Sequence, residues 1–335
     1  MKYFTTVNDV KNVDMLVGKA LALKQNPYRD SSLGKNRTLG LLFLNPSLRT
    51  RLSTQKAGMN LGMQVMVMNV DKEGWGLEFK DGAIMNGTSI EHIRDAAAVM
   101  GTYCDIIGIR CFPGLTDQKA DYSEQVLLSF MKHCRVPVVS LESATLHPLQ
   151  SLADLMTIRE HWNEERIPKV VLSWAPHIKA LPQAVANSFC EWMSKANVDF
   201  TITHPPGYEL NPDYTKGAYI THDQKEAFQG ADFVYVKNWS AYTNYGKILC
   251  SDSAWMPDKQ IMQLTNQAKI MHCLPLRRNV ELPDELAEGP QSLIIAQAAN
   301  RVYSAQAVLK KMLEEITQKQ QTGSQTPNQI QFQDE

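Results

Sequence analysis

Ser47-Leu48-Arg49-Thr50-Arg51 puts two hydroxyls and two guanidiniums within five residues. The segment follows the apolar run Leu39–Leu44, which reads as a buried parallel strand stopped by Asn45-Pro46. Ser47 can then cap a helix running through Leu52, Lys56, Met59 and Leu61. A helix N-terminus offers free N–H groups and a partial positive charge. Ser, Thr and Arg on that turn make a phosphate site. A solvated basic helix start stays open as the alternative, because the phosphate reading requires both arginines to face the turn.

Further reactive groups fall at the ends of predicted strands. Arg110 ends Asp105–Ile109, and Glu142 follows Val138–Leu141. His147-Pro148-Leu149-Gln150 opens a helix, and His177 follows the strand Lys169–Trp174 after Ala175-Pro176. Lys237-Asn238-Trp239 follows Phe233–Val236, and Cys273-Leu274-Pro275-Leu276-Arg277-Arg278 follows a strand near Ile270. Each alone suits an ordinary satisfied loop residue. Open α/β sheets bind ligands at the carboxyl ends of their strands, so together these groups point to a site in a cleft between two domains.

The elements that must position them alternate along the chain. Strands are predicted at 39–44, 64–68, 105–110 and 137–141, with helices over 8–23, near 91–100 and over 122–131. A long helix from Leu149 to about Trp162 carries one apolar stripe, Leu152, Leu155, Met156 and Ile158. Strands then resume at 169–174, 200–203, 233–236, 270–273 and 292–296, and a last helix runs from Ala298 to about Ile316. Two βαβ series imply an α/β protein: two doubly wound parallel-sheet domains joined by helices, with the active site in the interdomain cleft. The expected divisions are 1–147 and 148–317, the final helix packing back on the first domain. Residues 318–335, rich in Gln, Thr and Ser, read as a disordered tail.

The composition narrows the function. Of 335 residues 44% are hydrophobic and 21% charged, an ordinary globular balance, and a net charge of −1 argues against a nucleic-acid surface. The six cysteines form no C-x-x-C pair, so they read as reduced thiols rather than zinc or redox ligands. The N-terminus has no signal-peptide core and no apolar run approaches membrane length, which predicts a cytoplasmic protein without a membrane partner. No G-x-G-x-x-G follows the first strand, against a nucleotide-binding oxidoreductase.

Ser47-Leu48-Arg49-Thr50-Arg51, His147-Pro148-Leu149-Gln150 and His272-Cys273-Leu274-Pro275 together resemble the aspartate/ornithine carbamoyltransferases, and the resemblance covers the chain except its tail. It implies two α/β domains, a homotrimer with active sites shared between subunits, and transfer of a carbamoyl group from carbamoyl phosphate to an amine, with no cofactor and no metal. Ser47, Leu48, Arg49, Thr50, Trp75, Arg110 and Arg301 are then expected on carbamoyl phosphate. By the same resemblance His147 donates to the carbamoyl oxygen, and Gln150 with the Cys273 and Leu274 carbonyls holds the amide. The expected catalytic residues are His147, Arg110 and Cys273, the cysteine by positioning rather than as a nucleophile. A non-catalytic homologue should have lost these ligands, yet every motif position is filled.

Lys237-Asn238-Trp239 stands where ordinary ornithine enzymes carry Ser-Met-Gly, and Leu276-Arg277-Arg278-Asn279 also departs from them. Both resemble the branch acting on ornithine with an acylated α-amine, as do Glu142 and Trp75, the latter contributed from a neighbouring subunit. An acylated amine offers no cation, so the α-carboxylate needs one, and Arg277 and Lys237 are candidates. Acetyl-specific members carry a glutamate, and succinyl members a proline, where this chain has Ile90. Ile90 brings no charge against succinate's second carboxylate, which His177 and Lys179 can receive. The resemblance therefore implies N-succinylornithine as acceptor in arginine biosynthesis, with N-acetylornithine the alternative and free ornithine less favoured.

Overall fold

The structure, a computed structural model, describes residues 1–323. Its first half runs β1 (Tyr3–Phe4), α1 (Val13–Gln25), β2 (Thr38–Phe43), α2 (Arg49–Asn60), β3 (Gln64–Asn69), α3 (Val70–Glu73), β4 (Leu77–Glu78), β5 (Glu91–His92), α4 (Ile93–Tyr103), β6 (Ile106–Arg110), α5 (Gln118–Tyr122), α6 (Gln125–His133) and β7 (Val138–Glu142). Helix α7 (Pro148–Glu160) leads to β8 (Lys169–Trp174), α8 (Ala184–Met193), β9 (Asp199–Thr203), β10 (Tyr219–Thr221), α9 (Gln224–Phe228), β11 (Phe233–Lys237), α10 (Lys259–Met262), β12 (Lys269–Met271), α11 (Asp284–Ala287) and α12 (Ile294–Gly323).

Two five-stranded sheets result, ordered β1-β7-β6-β2-β3 and β10-β9-β8-β11-β12. All their pairings are parallel, with Leu41 between Val67 and Gly108, and Val234 between Val171 and Ile270. Parallel strands covered on both faces must be apolar throughout, and Leu39–Phe43, Ile106–Arg110 and Phe233–Lys237 are buried at every position. Edge strand β3 instead alternates exposed and half-buried residues. One hydrophobic core runs through α7 and α12 from Leu39, Leu41 and Phe43 to Leu172 and Trp174.

The predicted doubly wound pair of sheets is present, and several local readings are corrected. Ser292–Ala296 is not a strand: Ser292 makes an isolated bridge to Ile270, and α12 has begun by Ile294. The outer strands of the two sheets include β1 and β10, two and three residues long, too short for periodicity to register. The helix expected over 122–131 is two helices, broken where Glu124 takes φ 50°. Helix α7 is buried all round from Pro148 to Ile158, because α12, α8, α1 and β7 surround it; a single stripe fits a helix with one free face. Helix α12 continues through Gly323, so 318–323 are helical rather than tail, and 324–335 lie outside the described residues.

Candidate active site

Each sheet reverses its winding direction once, β2 lying between β6 and β3, and β8 between β9 and β11. Crevices form where the chains leave such strands in opposite directions. Both reversals open on one cavity of about 320 Å³. Its lining includes Ser47, Leu48, Arg49 and Thr50 from the β2–α2 turn, Arg110 ending β6, Glu142 ending β7, and His147 and Gln150 opening α7. From the second sheet come His177, Lys237, Cys273 and Leu274, and α12 supplies Arg301.

The β2–α2 turn is built locally. Ser47 Oγ accepts from the Thr50 N–H at 3.3 Å. Gly62 ends α2 at φ 80°, where a Cβ would lie 2.0 Å from the Ser31 carbonyl oxygen. The two arginines of the motif diverge: Arg49 lines the cavity, while Arg51 lines a separate hollow with Asn69 and Lys72. Ser47 and Leu48 line both hollows, so both arginines border the turn, but only Arg49 enters the cavity. Long-range cations take the second place, Arg110 donating to Thr50 Oγ1 at 3.4 Å and Arg301 at 2.6 Å.

Arg301 also donates to Gln150 Oε1 at 2.5 Å, and Gln150 passes the contact on to Asp154 Oδ1 at 2.7 Å. Gln297 donates to the same oxygen at 2.7 Å and accepts from the His272 N–H at 2.8 Å. This buried chain clamps α7, α12 and the strand end before Cys273. Burial pushes Asp154 up to about 7 despite these donors, and pulls Arg301 down to about 10, still a cation at neutral pH. Burial, then the charges of Arg301 and Arg110, hold His147 well below its ordinary value, so the imidazole is neutral. Burial also raises the Cys273 thiol, which keeps its proton and is no nucleophile at neutral pH.

Arg110 is ion-paired with Glu142, stacks over the Phe112 ring at 4.2 Å, and shares Glu142 with His147 Nε2 at 3.5 Å. His147 is placed by the loop before it, where Ser143 and Thr145 donate to the Glu124 carboxylate. Across the cavity, Lys237 Nζ donates to the Asn238 carbonyl at 2.9 Å, and Asn238 ties its strand to Ala175 at 2.7 Å. Arg277 does not line the cavity but donates to His177 Nε2 at 3.1 Å.

Glu281 and Asp154 escaped the sequence reading. Glu281 is fully buried, accepts from the Arg277 N–H at 2.8 Å and faces His272 Nε2 at 3.5 Å. Burial opposes its charge, yet His272, Lys237 and the Arg277 N–H hold it at about 2. His272 Nδ1 in turn accepts from the Leu274 N–H, fixing Leu274 at φ 57°. A carboxylate four residues past an arginine was the available signal for Glu281. Asp154 had a similar one, one helical turn beyond Gln150.

Trp75 and Ile90 do not line the cavity of their own chain. Both are exposed, at 55% and 69%, just ahead of the two strands of the small β4–β5 parallel ladder. The Ile90 N–H donates to the Gly76 carbonyl, and the Trp75 indole to Glu91 at 2.8 Å. These bonds tie the Trp75-Gly76 segment to Ile90-Glu91 at the surface.

The cavity offers four cations, Arg49, Arg110, Lys237 and Arg301, against one carboxylate, Glu142. Among the described residues Arg49 Nε, Arg110 Nε and His147 Nδ1 are buried without a hydrogen-bond partner. The two guanidinium donors suit a small anion, and the imidazole beside them a polar planar group. A neutral imidazole beside them can stabilise oxygen charge that develops during acyl-type transfer.

Residues 2–160 match the carbamoyl-P binding domain of aspartate/ornithine carbamoyltransferase, and residues 182–312 its Asp/Orn binding domain. The N-succinylornithine carbamoyltransferase of Bacteroides thetaiotaomicron is 50% identical, over 94% of this chain and 99% of that one. The N-acetylornithine carbamoyltransferase of Xanthomonas campestris pv. campestris is 35% identical, over 93% and 98%. A solved N-acetyl-L-ornithine transcarbamylase, with a glutamate replaced by valine and complexed with carbamyl phosphate and N-succinyl-L-norvaline, superposes with a TM-score of 0.88. It is 34% identical over 93% of this chain and 100% of that one.

Proposed function

We propose, for a chain that belongs to the aspartate/ornithine carbamoyltransferase family, that it moves the carbamoyl group of carbamoyl phosphate to the side-chain amine of N-succinylornithine, giving N-succinylcitrulline and phosphate in arginine biosynthesis. The observation that carries the site is the set of buried nitrogens without a partner, Arg49 Nε, Arg110 Nε and His147 Nδ1, around one cationic cavity. Ser47, Leu48, Arg49, Thr50, Arg110 and Arg301 bind the phosphate. Gln150 and the Cys273 and Leu274 carbonyls hold the carbamoyl amide. The acceptor's amine nitrogen bonds to the carbamoyl carbon, and negative charge gathers on the carbamoyl oxygen. Neutral His147 donates to that oxygen, the C–O bond to phosphate then breaks, and the departing phosphate takes the proton that the amine nitrogen loses. Donors aimed at charge that grows in the transition state act mainly on kcat.

Residues 148–317 carry the acceptor half, and 1–147 the carbamoyl phosphate half. Lys237 and Arg277 receive the acceptor's α-carboxylate, Glu142 its polar backbone, and His177 the acyl end. The N-succinyl choice follows the 50% identical Bacteroides enzyme and the uncharged Ile90, taken to stand where acetyl-specific enzymes carry glutamate. A solved relative with a glutamate replaced by proline, complexed with an N-succinyl analogue, fits that choice. N-acetylornithine is the second reading, favoured by the 35% identical Xanthomonas enzyme.

We assign the enzyme to homotrimers in the cytoplasm. Leu48, Leu52, Met59, Met66, Met68, Trp75, Ile84 and Ile90 are all exposed, an apolar surface that suits burial by a neighbour. Trp75 and Ile90 then complete the neighbour's site. The six free cysteines fit a reducing compartment, and no helix among the described residues is long and apolar enough to cross a membrane. The test is citrulline-type product formed from N-succinylornithine, N-acetylornithine and ornithine under one set of conditions. The highest kcat/KM should belong to N-succinylornithine; a higher value for N-acetylornithine selects the second reading, and one for ornithine overturns both.

A further inference from the structure

We propose that His204, Glu209 and His222 form a binding site for a divalent transition-metal ion of the zinc type, outside the catalytic cleft. The topology brings them together. His204 follows β9 and His222 follows β10, and these strands pair in parallel with Thr203 opposite Thr221. The histidines therefore leave neighbouring strands at one level. Glu209 returns to them through a turn at Gly207, whose φ is 88°. One ligand atom from each residue lies within 4.8 Å of the other two, and His222 Nε2 is 3.7 Å from Glu209 Oε1. Tetrahedral zinc separates its nitrogen and oxygen ligands by about 3.4 Å, so side-chain rotation closes the set.

Hydrogen bonds settle which ring nitrogens are available. His204 Nδ1 contacts the Pro205 carbonyl at 2.9 Å, and His222 Nδ1 contacts the His204 carbonyl at 2.9 Å. A carbonyl only accepts, so each Nδ1 carries the proton and each neutral ring presents the Nε2 lone pair. Metal-bound histidines are oriented by such a bond from the other nitrogen to a carbonyl. His204 is 1% exposed. Two imidazoles and one carboxylate are ligands for zinc, copper or nickel rather than for calcium or magnesium.

None of the three lines the catalytic cavity, and His222 lines a different one with Gln224 and Trp255. The ion is therefore no participant in carbamoyl transfer. It clamps the three-residue edge strand β10, with its exposed Tyr219 and Ile220, to β9. The His222 and Glu209 side chains are 47% and 50% exposed, which leaves room for water at the remaining coordination positions. Ions that bind only the folded chain stabilise it.

The full-length protein, treated with chelator and dialysed, is titrated with Zn²⁺ by calorimetry and with Co²⁺ by visible absorption. One equivalent should bind per chain, raise the thermal midpoint, and give a Co²⁺ spectrum without sulfur charge-transfer bands. His222→Ala and Glu209→Gln, both at half-exposed positions, should each weaken binding by at least about tenfold. Metal-free carbamoyl transfer should be unchanged in both. Absence of binding to the wild type, binding by either variant as tight as that of the wild type, or sulfur bands from cysteine ligation would each overturn the site.

Discussion

Arg49→Ala separates binding chemistry from folding more cleanly than any other single change in the cleft. Arg49 Nε is buried with no partner, so truncation breaks no hydrogen bond there in the free protein. Burial, with Arg110 nearby, holds this guanidinium below its ordinary value, so the free fold gains nothing from the charge. The thermal midpoint should stay within about 2 °C of wild type. A phosphate oxygen about 4 Å away at an effective dielectric near 20 gains about 4 kcal/mol per unit charge before screening. Arg110 and Arg301 share the same anion, which reduces the loss to the range for a truncated charge-assisted contact, about 2–5 kcal/mol. That is about thirtyfold to a few thousandfold in kcat/KM. Initial rates with varied carbamoyl phosphate and saturating acceptor measure it, alongside thermal denaturation. A folded variant with kcat/KM within about threefold of wild type would refute the phosphate assignment, and with it the argument from unpartnered donors.

Ile90→Glu should move specificity from N-succinylornithine towards N-acetylornithine: even about 1 kcal/mol of repulsion on the distal carboxylate is about fivefold, and unchanged ratios of kcat/KM would remove Ile90 from the acyl pocket. Trp75→Ala chains mixed with Arg110→Ala chains, each inactive alone, should regain partial activity after subunit exchange, because some interfaces then join two intact halves; confirmed exchange without recovery counts against shared sites. Asp154→Asn addresses pH. The folded Asp154 carboxyl keeps its proton up to about 7, whereas the unfolded one loses it near pH 4. Wild-type stability contributed by that proton is present below about pH 4 and lost as pH rises towards 7. The thermal midpoint of the variant should therefore gain on wild type between pH 5 and 8, and a constant difference across that window would place the titration elsewhere.

Much of the fold is written in local pattern. Apolar runs such as Leu39–Leu44 and Phe233–Val236 have no polar face to give to solvent, so only strands buried on both sides accommodate them. Their alternation with helical periods implied two parallel sheets, and parallel sheets put functional groups at carboxyl ends. Ser47, Arg49, Arg110, His147, Lys237 and Cys273 were found that way, and all line one cavity. The shortest strands and the helix break at Glu124 left no such pattern, because two or three residues carry no period.

What tertiary structure decided is which groups meet. Arg49 and Arg51 are equivalent in sequence, yet only Arg49 faces the cleft, since the packing of α2 against α12 sets that helix's rotation. Arg301 reaches Thr50 and Gln150 across 251 and 151 residues, and Gln297 reaches Asp154 across 143. His204 and His222 become neighbours only because β10 pairs with β9 in one register. Periodicity reports whether a residue is buried, and it is silent on its partner. Strand order and helix rotation, set by nonlocal packing, supply that partner, and they turned scattered polar residues of this chain into a cationic cleft.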